Sequence, residues 1–336
     1  MKKKLPQLVS LLFFFLGLYL LFGLIHKFGY ASLKITFQRL GYEVIFVLFF
    51  PLTWFWAHTR GWYKILEEIQ EHVSFFTLLL IRLAGEAVNT LTPISWMGGD
   101  PVRVFMLKNR MPTTLSAASV VLDRTMQSLA ILLLLFFSLL VATIQLQLPP
   151  AWNMLFPLLT LGMALLIMWV IHRQHRGIFL FLAKGLKRIG VKKPFSEALD
   201  EKIGEIDERI SQFYRHDRKR FFTVLGYHFS ARLMGVFEIY MISHFLAISL
   251  SLINSLYLAT LTVLVNMVFV FVPGSLGVLE GAYGALFHLL NLEPVAGVAL
   301  QLVRRLRTVF WIFVGLIVIV LYKHRHPEKE IPLEVL

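Results

Sequence analysis

Long apolar runs separated by short polar segments dominate the pattern of the chain. Several of these runs are close to the roughly 20 residues that an α-helix needs to cross the hydrocarbon core of a bilayer. Hydrophobic residues make up 57% of the chain, more than is usual in a soluble domain. The pattern predicts an all-α, polytopic membrane protein with about six full spans. The apolar runs cover residues 8–25, 42–57, 75–88, 113–144, 154–171, 221–248, 256–272, 282–290 and 295–322.

Two of the apolar regions are broken by polar segments that contain glycine and proline. The first segment begins at Asn89 and reaches Arg103, and the second runs from Pro273 to Gly281. Irregular polar backbone is tolerated at membrane depth only where it lines a cavity or packs inside protein. We therefore expect two re-entrant broken helices in addition to the full spans.

The two broken segments share a spacing. Arg124 follows Pro93 by 31 residues, and Arg304 follows Pro273 by the same 31 residues. An acidic residue also stands seven positions after each proline. Broken helices at matching places in two halves are typical of an inverted-topology repeat, in which the substrate site lies near the middle of the membrane. A chance recurrence of glycine, proline and arginine is the alternative.

The repeat divides one membrane domain, residues 1–336, into halves. The halves are residues 1–145 and 152–322, and they are predicted to have opposite orientations in the membrane. A separate helix on the cytoplasmic surface is predicted at 58–72, after the span at 42–57. A basic insert at 172–220 carries 13 Lys and Arg against 7 Asp and Glu.

The net charge of +13 comes from 33 Lys and Arg against 20 Asp and Glu, and much of it lies in loops beside apolar runs. Basic loops remain on the cytoplasmic side of a membrane. The insert and both termini are therefore predicted to be cytoplasmic, and nucleic acid is not an expected partner. The chain has no cysteine, which excludes disulfides and thiolate metal sites.

The polar residues of the broken segments suggest a site for a lipid phosphate. Arginine binds phosphate through two parallel hydrogen bonds and stays charged in the membrane. Glycines permit sharp turns and free backbone N–H groups that could face an anion, and the acidic residues are expected to pair with the arginines. Ion pairs that only hold helices together are the alternative. The candidate lipid-binding residues are Asn89, Pro93, Gly98, Gly99, Asp100, Arg103, Asp123, Arg124, Pro273, Gly274, Gly277, Glu280, Arg304 and Arg305.

At these residues the chain resembles the family of lysylphosphatidylglycerol synthase transmembrane regions, over roughly residues 8–322. The resemblance implies a flippase-like, multi-pass protein of the bacterial cell (inner) membrane that handles lipids. The implied partners are membrane lipids, whether phospholipid, hopanoid or isoprenoid, together with a second copy of the chain or proteins of lipid biosynthesis. The motifs that carry the resemblance are Gly98-Gly99-Asp100-x-x-Arg103, Asp123-Arg124, Pro273-Gly274-Ser275-Leu276-Gly277-x-x-Glu280-Gly281 and Arg304.

Two other classes of function are alternatives to lipid movement. One is an intramembrane lipid-modifying enzyme, such as a phosphate hydrolase or headgroup transferase, and the other is a membrane scaffold. Because the sequence stops at Leu336, we do not expect a fused transferase domain. No histidine lies in either broken segment, and His228, His244 and His288 are isolated along the sequence. We therefore expect no enzyme activity, no catalytic residue, no metal and no cofactor.

Overall fold

The computed structural model is helical throughout the residues it describes, which are 40–68, 73–92, 98–108, 110–145, 154–174, 204, 208, 213, 218–270 and 272–325. Within those ranges there is no β-strand, which confirms the all-α prediction. The helices are α1 (Glu43–Phe49), α2 (Pro51–Glu68), α3 (Phe75–Leu91), α4 (Gly99–Leu107), α5 (Thr113–Gln145), α6 (Leu155–Gln174), α7 (Arg218–Phe245), α8 (Leu252–Val268), α9 (Val278–Leu289) and α10 (Pro294–Arg325).

The structure differs from the prediction at the start of α2. The sequence suggested a span at 42–57 followed by a separate surface helix, but α2 runs without interruption from Pro51 to Glu68. The break lies earlier, because Pro51 has no N–H to continue α1 and its fixed φ suits the first position of a new helix. Nothing at Ala57 or His58 ends the helix, and both residues are buried.

Several other predictions fall outside the described residues. These are the first apolar run at 8–25, most of the basic insert, both termini and Pro93. Among the described helices, Thr113–Gln145 and Pro294–His324 are long and apolar enough to cross a membrane, whereas Leu155–Trp169 and Leu252–Val268 are shorter apolar segments. The number of spans therefore stays a prediction.

Contacts divide the chain into two compact units. The first contains the described parts of Met1–Phe55, Leu79–Arg103 and Leu233–Leu336. Its core is formed where α9 packs against α8 and α10, and α1 packs against α10. Gly297 of α10 allows close packing, because a Cβ there would lie 2.7 Å from the ring of Phe287 on α9.

The second unit contains the described parts of Trp56–Leu78 and Val104–Arg232. Here α5 packs along α6. The core side chains come from α2, α5, α6 and α7, together with Phe213. The buried positions of α5 recur about every third or fourth residue, as expected for one face of a helix that packs against its neighbours. The core consists of Ile65, Leu122, Met126, Leu129, Ala130, Ile167, Phe213, Phe221, Val224 and Leu225.

Candidate functional site

The first broken segment joins α3 to α4 through a close contact between glycines. A Cβ on Gly99 would lie 1.9 Å from the carbonyl oxygen of Gly85, and a Cβ on Gly85 would lie 2.6 Å from Cγ of Arg103. The Gly99 N–H donates to Oδ1 of Asn89 over 2.7 Å. The expectation that this N–H is free to face an anion is therefore wrong. Gly99 brings two helices together, and Asn89 supplies the acceptor that the first turn of α4 needs.

Gly98 is also crowded, because a Cβ there would lie 2.0 Å from Oγ1 of Thr92. Asp100 lies in the first turn of α4, where a negative charge is favourable. Its carboxylate is 3.3 Å from Arg103, so the predicted pairing of this acid with an arginine is present. Arg103 is fully buried.

The second broken segment makes its turn with unusual backbone conformations. Gly274 has φ 58°, Gly277 has φ 73°, and Ser275 between them has φ 49°. Glycine adopts positive φ without the steric cost that a Cβ brings. The sharp turn expected from Gly274 and Gly277 is therefore present. Ser275 is stabilised by a 2.7 Å hydrogen bond from its hydroxyl to Oδ1 of Asn266 on α8.

Arg305 of α10 ties this turn to the start of α9. Its Nη2 lies 2.7 Å from Oε1 of Glu280, and its Nε donates to the same oxygen over 2.8 Å. The guanidinium also donates to the backbone carbonyls of Gly274 and Ser275. The predicted pairing of Glu280 with an arginine is present, and its partner is Arg305.

Arg304 and Arg307 both lie against the carboxylate of Glu238, which was not among the predicted site residues. Arg307 donates to both carboxylate oxygens of Glu238 on α7, and Nε of Arg304 lies 3.5 Å from the same carboxylate. Arg304 also donates to the hydroxyl of Tyr283 on α9. That hydroxyl lies 2.7 Å from Oγ1 of Thr262 on α8. Arg304 is thus placed by side chains from three other helices.

The acids and the arginines of this cluster differ in exposure. The side chains of Glu238 and Glu280 are 0% exposed, whereas those of Arg304, Arg305 and Arg307 are 12%, 17% and 14% exposed. The carboxylates are fully buried, and the arginine side chains keep part of their surface accessible. Such a cluster can accept an additional anion on the arginine side, because each guanidinium has five donors and its carboxylate partner does not use them all.

A cavity of about 170 Å³ opens beside Arg307. The guanidinium carbon of Arg307 stands 5.1 Å from the ring centre of Trp54, a cation–π distance. The cavity thus combines an aromatic wall with a cation, an acid and hydroxyl groups. It is lined by Pro51, Trp54, Phe55, Leu83, Glu86, Ala87, Thr90, Arg307, Thr308, Trp311 and Ile312.

Glu238 and Arg307 were not among the predicted site residues, although both are charges inside apolar runs. The missing information was their pairing, since they are 69 residues apart in the chain. No local spacing predicts a contact between helices that far apart. An intramembrane charge of one sign calls for a partner of the other sign, and that rule would have identified both residues as candidates.

Asp123 and Arg124 lie in the second unit, about three turns into α5. Asp123 is fully buried, accepts a 2.7 Å hydrogen bond from Gln127, and has Oδ1 3.4 Å from Nε2 of His228. His228 in turn meets His58, with 2.7 Å between the two Nδ1 atoms. The prediction that His228 is isolated was therefore wrong. Arg124 is partly buried.

The comparison with known families agrees with these motifs. The model of the family described as "Lysylphosphatidylglycerol synthase TM region" matches residues 7–316, which is nearly the whole chain. The resemblance predicted from the two broken segments is confirmed. A search of curated proteins found no match to the chain.

Proposed function

Because the chain belongs to the family of lysylphosphatidylglycerol synthase transmembrane regions, we propose that it is a flippase-like lipid transporter. It binds a lipid with an anionic or otherwise polar headgroup and moves it across or within the bacterial inner membrane. Its partners are membrane lipids, and its own role is transport rather than catalysis. The family membership by itself supports only the coarser statement that this is a lipid-related membrane protein.

The observation that carries the proposal is the unequal exposure within the arginine cluster of α10. Arg304, Arg305 and Arg307 keep accessible surface, while their partners Glu238 and Glu280 have none. If these residues served only to join helices, burial of both members of each pair would be the simpler arrangement. Arginines that are partly accessible and paired with buried acids suit a site that binds a phosphate group and then releases it.

The cavity beside Arg307 supports the same proposal. Its aromatic and aliphatic lining, including Trp54 and Trp311, suits the glycerol and upper acyl region of a lipid, and Arg307 suits the phosphate. Thr90 and Thr308 add hydroxyl groups for the polar part of a headgroup. The cavity, of about 170 Å³, would take the phosphate and the atoms next to it. In this proposal the acyl chains stay in the surrounding lipid.

We further propose a multi-pass arrangement with about six spans, two re-entrant segments and both termini in the cytoplasm. The order of helix lengths supports the inverted repeat on which this arrangement is based. In the first half, helices of 17, 9 and 33 residues follow one another. In the second half the corresponding lengths are 17, 12 and 32 residues. The equivalence of Arg124 and Arg304 is part of this proposal.

The experiment is reconstitution into lipid vesicles that carry a trace of headgroup-labelled fluorescent phosphatidylglycerol. A quencher added outside reports how fast the label reaches the outer leaflet, and mass spectrometry of the same vesicles reports any change to the headgroup. Transport predicts label movement with an intact headgroup. Headgroup turnover would instead establish a lipid-modifying enzyme. If the label does not move and the headgroup does not change, a role as a membrane scaffold is favoured.

The variant that tests the site is Arg307→Gln, with Lys323→Gln as the matched control. Lys323 is an exposed cation near the end of the same helix. A hydrogen bond to a charged group contributes about 1.5–3 kcal/mol. Arg307→Gln should therefore slow transport roughly ten- to a hundredfold, and Lys323→Gln should not. Arg304 remains near Glu238 in this variant, so the fold should survive. Unchanged transport by folded Arg307→Gln protein would reject this site.

A further inference from the structure

Three ionisable side chains meet inside the second unit, away from the arginine cluster. They are His58 of α2, Asp123 of α5 and His228 of α7. Asp123 and His228 are fully buried and His58 is 8% exposed. Burying ionisable groups in an apolar interior is costly unless they pair with one another. The three helices are therefore held together at this point by a small polar cluster, which we call the histidine cluster.

The distances restrict where protons can lie. With 2.7 Å between Nδ1 of His58 and Nδ1 of His228, one ring must donate and the other must accept. Nε2 of His228 faces Oδ1 of Asp123 at 3.4 Å, and Gln127 donates to Oδ2 of the same carboxylate. Oδ2 of Asp123 thus accepts a hydrogen bond, and Oδ1 lies within ion-pair distance of the imidazole, which suits an ionised carboxylate.

The histidine cluster does not suit a metal ion. Two nitrogens bound to one zinc ion at about 2.0–2.1 Å in tetrahedral geometry lie more than about 3 Å apart, so the 2.7 Å separation is that of a hydrogen bond. Among the described residues, no group of three or more His, Cys, Asp or Glu is arranged to hold a metal. A proton is the ligand that the geometry can accept.

The cluster has room for one such proton. With two neutral rings and an ionised Asp123 its charge is −1, and one added proton brings it to zero. The axis between the two Nδ1 atoms already holds the proton of their hydrogen bond, so the added proton binds at an Nε2 atom of the pair, and its charge is compensated by Asp123 when it lies on His228. A second proton would place two cations in contact across 2.7 Å, which a buried site does not tolerate.

We propose that His58, His228 and Asp123 form a binding site for a single proton that links α2, α5 and α7. Loading the site turns a charged cluster into a neutral one, and so changes how strongly the three helices are held together. If the protein moves lipids, this site would couple that movement to a proton gradient; this use rests on the proposed function, whereas the proton site does not. Histidine suits the role because its charge changes between about pH 5 and 8.

Other charged groups stand on neighbouring turns of the same helices. They are Arg60 on α2, Arg124 on α5 and Arg232 on α7, and each is partly buried. Their guanidiniums remain charged across the pH range in which histidine titrates. Their electrostatic effect on the cluster is therefore the same at every pH in this range. The change of charge with pH comes from the two histidines.

Close packing keeps the pair in place. A Cβ on Gly61, one turn beyond His58, would lie 2.7 Å from Nε2 of His228. Gly61 therefore lets α2 approach the imidazole directly. Gly61→Ala should displace His228 from Asp123 without removing any ionisable group, which gives a variant that disturbs the site by geometry alone.

The direct test uses solid-state NMR of wild-type protein with ¹⁵N-labelled histidine in lipid bilayers. The pair identifies itself by a ¹⁵N–¹⁵N coupling across the Nδ1–Nδ1 hydrogen bond. We expect the ¹⁵N signals of the two coupled rings to change together, and the pair as a whole to gain one proton between about pH 5 and 8. A pair that keeps one protonation state across this range overturns the proposal, and so does the gain of two protons. This measurement needs no variant to fold and no lipid movement.

The coupling is tested separately in vesicles with and without a pH difference across the membrane. Under a pH difference of one unit we expect the wild-type rate of lipid movement to change severalfold, up to about tenfold, because one proton moving along a tenfold gradient can drive no larger change. His58→Gln should lose this response, whereas His244→Gln, at an exposed histidine of α7, should keep it. Lipid movement that ignores the pH difference in wild-type protein overturns the coupling. Absence of all lipid movement would reject the proposed function instead and leave the NMR result to decide the proton site.

Discussion

The two broken segments share a spacing of proline, acidic residue and arginine but use their polar residues differently. In the first, Asp100 pairs with Arg103 three residues along the same helix, and Gly99 is packed against Gly85. In the second, Glu280 pairs with Arg305, 25 residues away on another helix, and the glycines make a turn with positive φ. The first segment is a tight helix–helix contact with a local ion pair. The second is a turn whose conformation is held by an arginine from another helix.

This difference shows that the same residue types serve close packing in one place and backbone turning in another. A glycine that permits close approach has no need of positive φ, and Gly98 and Gly99 are not among the described residues with positive φ. A local ion pair fixes only its own helix, whereas the Arg305–Glu280 pair fixes α9 against α10. The second segment is thus the one in which an arginine sets the geometry of a candidate anion site.

The largest expected effect is at the distant ion pair. Arg305→Gln leaves the fully buried Glu280 without its cation, and breaking a buried pair by removing one partner costs about 3–5 kcal/mol. We expect a low folded yield and a large drop in melting temperature. The double variant Arg305→Gln/Glu280→Gln should recover much of the loss, because no charge is then left alone.

The matching change in the first segment is Asp100→Asn. The Asp100 side chain is 18% exposed, and Asn keeps a side-chain oxygen that can accept the hydrogen bond from Arg103. Its melting temperature should therefore fall much less than that of Arg305→Gln. Equal losses for both variants would show that the two acids have the same structural role, and the comparison would fail.

A second prediction concerns the glycine contact of the first segment. Gly99→Ala would place a Cβ 1.9 Å from a backbone oxygen, and backbone cannot rotate away as a flexible side chain can. Overpacking costs about 1–3 kcal/mol and occasionally more, so we expect a loss near 3 kcal/mol. Gly162→Ala is the matched control, since a Cβ there meets no atom within 4 Å. Comparable melting temperatures for Gly99→Ala and Gly162→Ala would contradict the close contact.

A third prediction concerns the turn of the second segment. Gly277→Ala should cost about 1–2 kcal/mol, because an L-residue with a Cβ pays that much in the left-handed region. Arg305 holds the same turn, so the losses of melting temperature in the double variant Gly277→Ala/Arg305→Gln should be less than additive. Gly226→Ala, at an open helical position, serves as the control. A stabilising effect of Gly277→Ala would show that this φ is not required.

The hydropathy pattern predicted most of the helices well, because helix length and apolar content are local properties of the chain. The long helices after Pro112 and from Pro294 begin and end within a few residues of the predicted positions. The boundary at 57–58 was wrong because a change from apolar to polar side chains does not end a helix, whereas Pro51 does begin one.

The contents of the sites were harder to predict. The pairs Glu238–Arg307 and His58–His228 are separated by 69 and 170 residues. Whether two such side chains meet depends on the rotation of each helix about its axis, which the sequence of either helix does not determine. The pairing of Glu280 could be anticipated, because a buried acid needs a cation, but the choice of Arg305 rather than Arg304 needed the structure.

The smallest expected effect is at Asn89, which completes the first segment. Its Oδ1 accepts the N–H of Gly99 in the manner of a helix cap, and losing a cap costs about 1 kcal/mol. Asn89→Ala should therefore lower the melting temperature slightly, and Asn89→Asp should restore most of the loss, because a carboxylate accepts the same hydrogen bond but loses the weak contact of the amide with Glu86. A carboxylate would also place a negative charge beside the N-terminus of α4, which is favourable there. If Asn89 instead contacts the lipid through its amide, Asn89→Asp would keep the stability and slow lipid movement. Equal stability of Asn89→Ala and wild type would show that the α4 N-terminus needs no acceptor from α3, and the view of the first segment as a self-contained packing unit would be wrong.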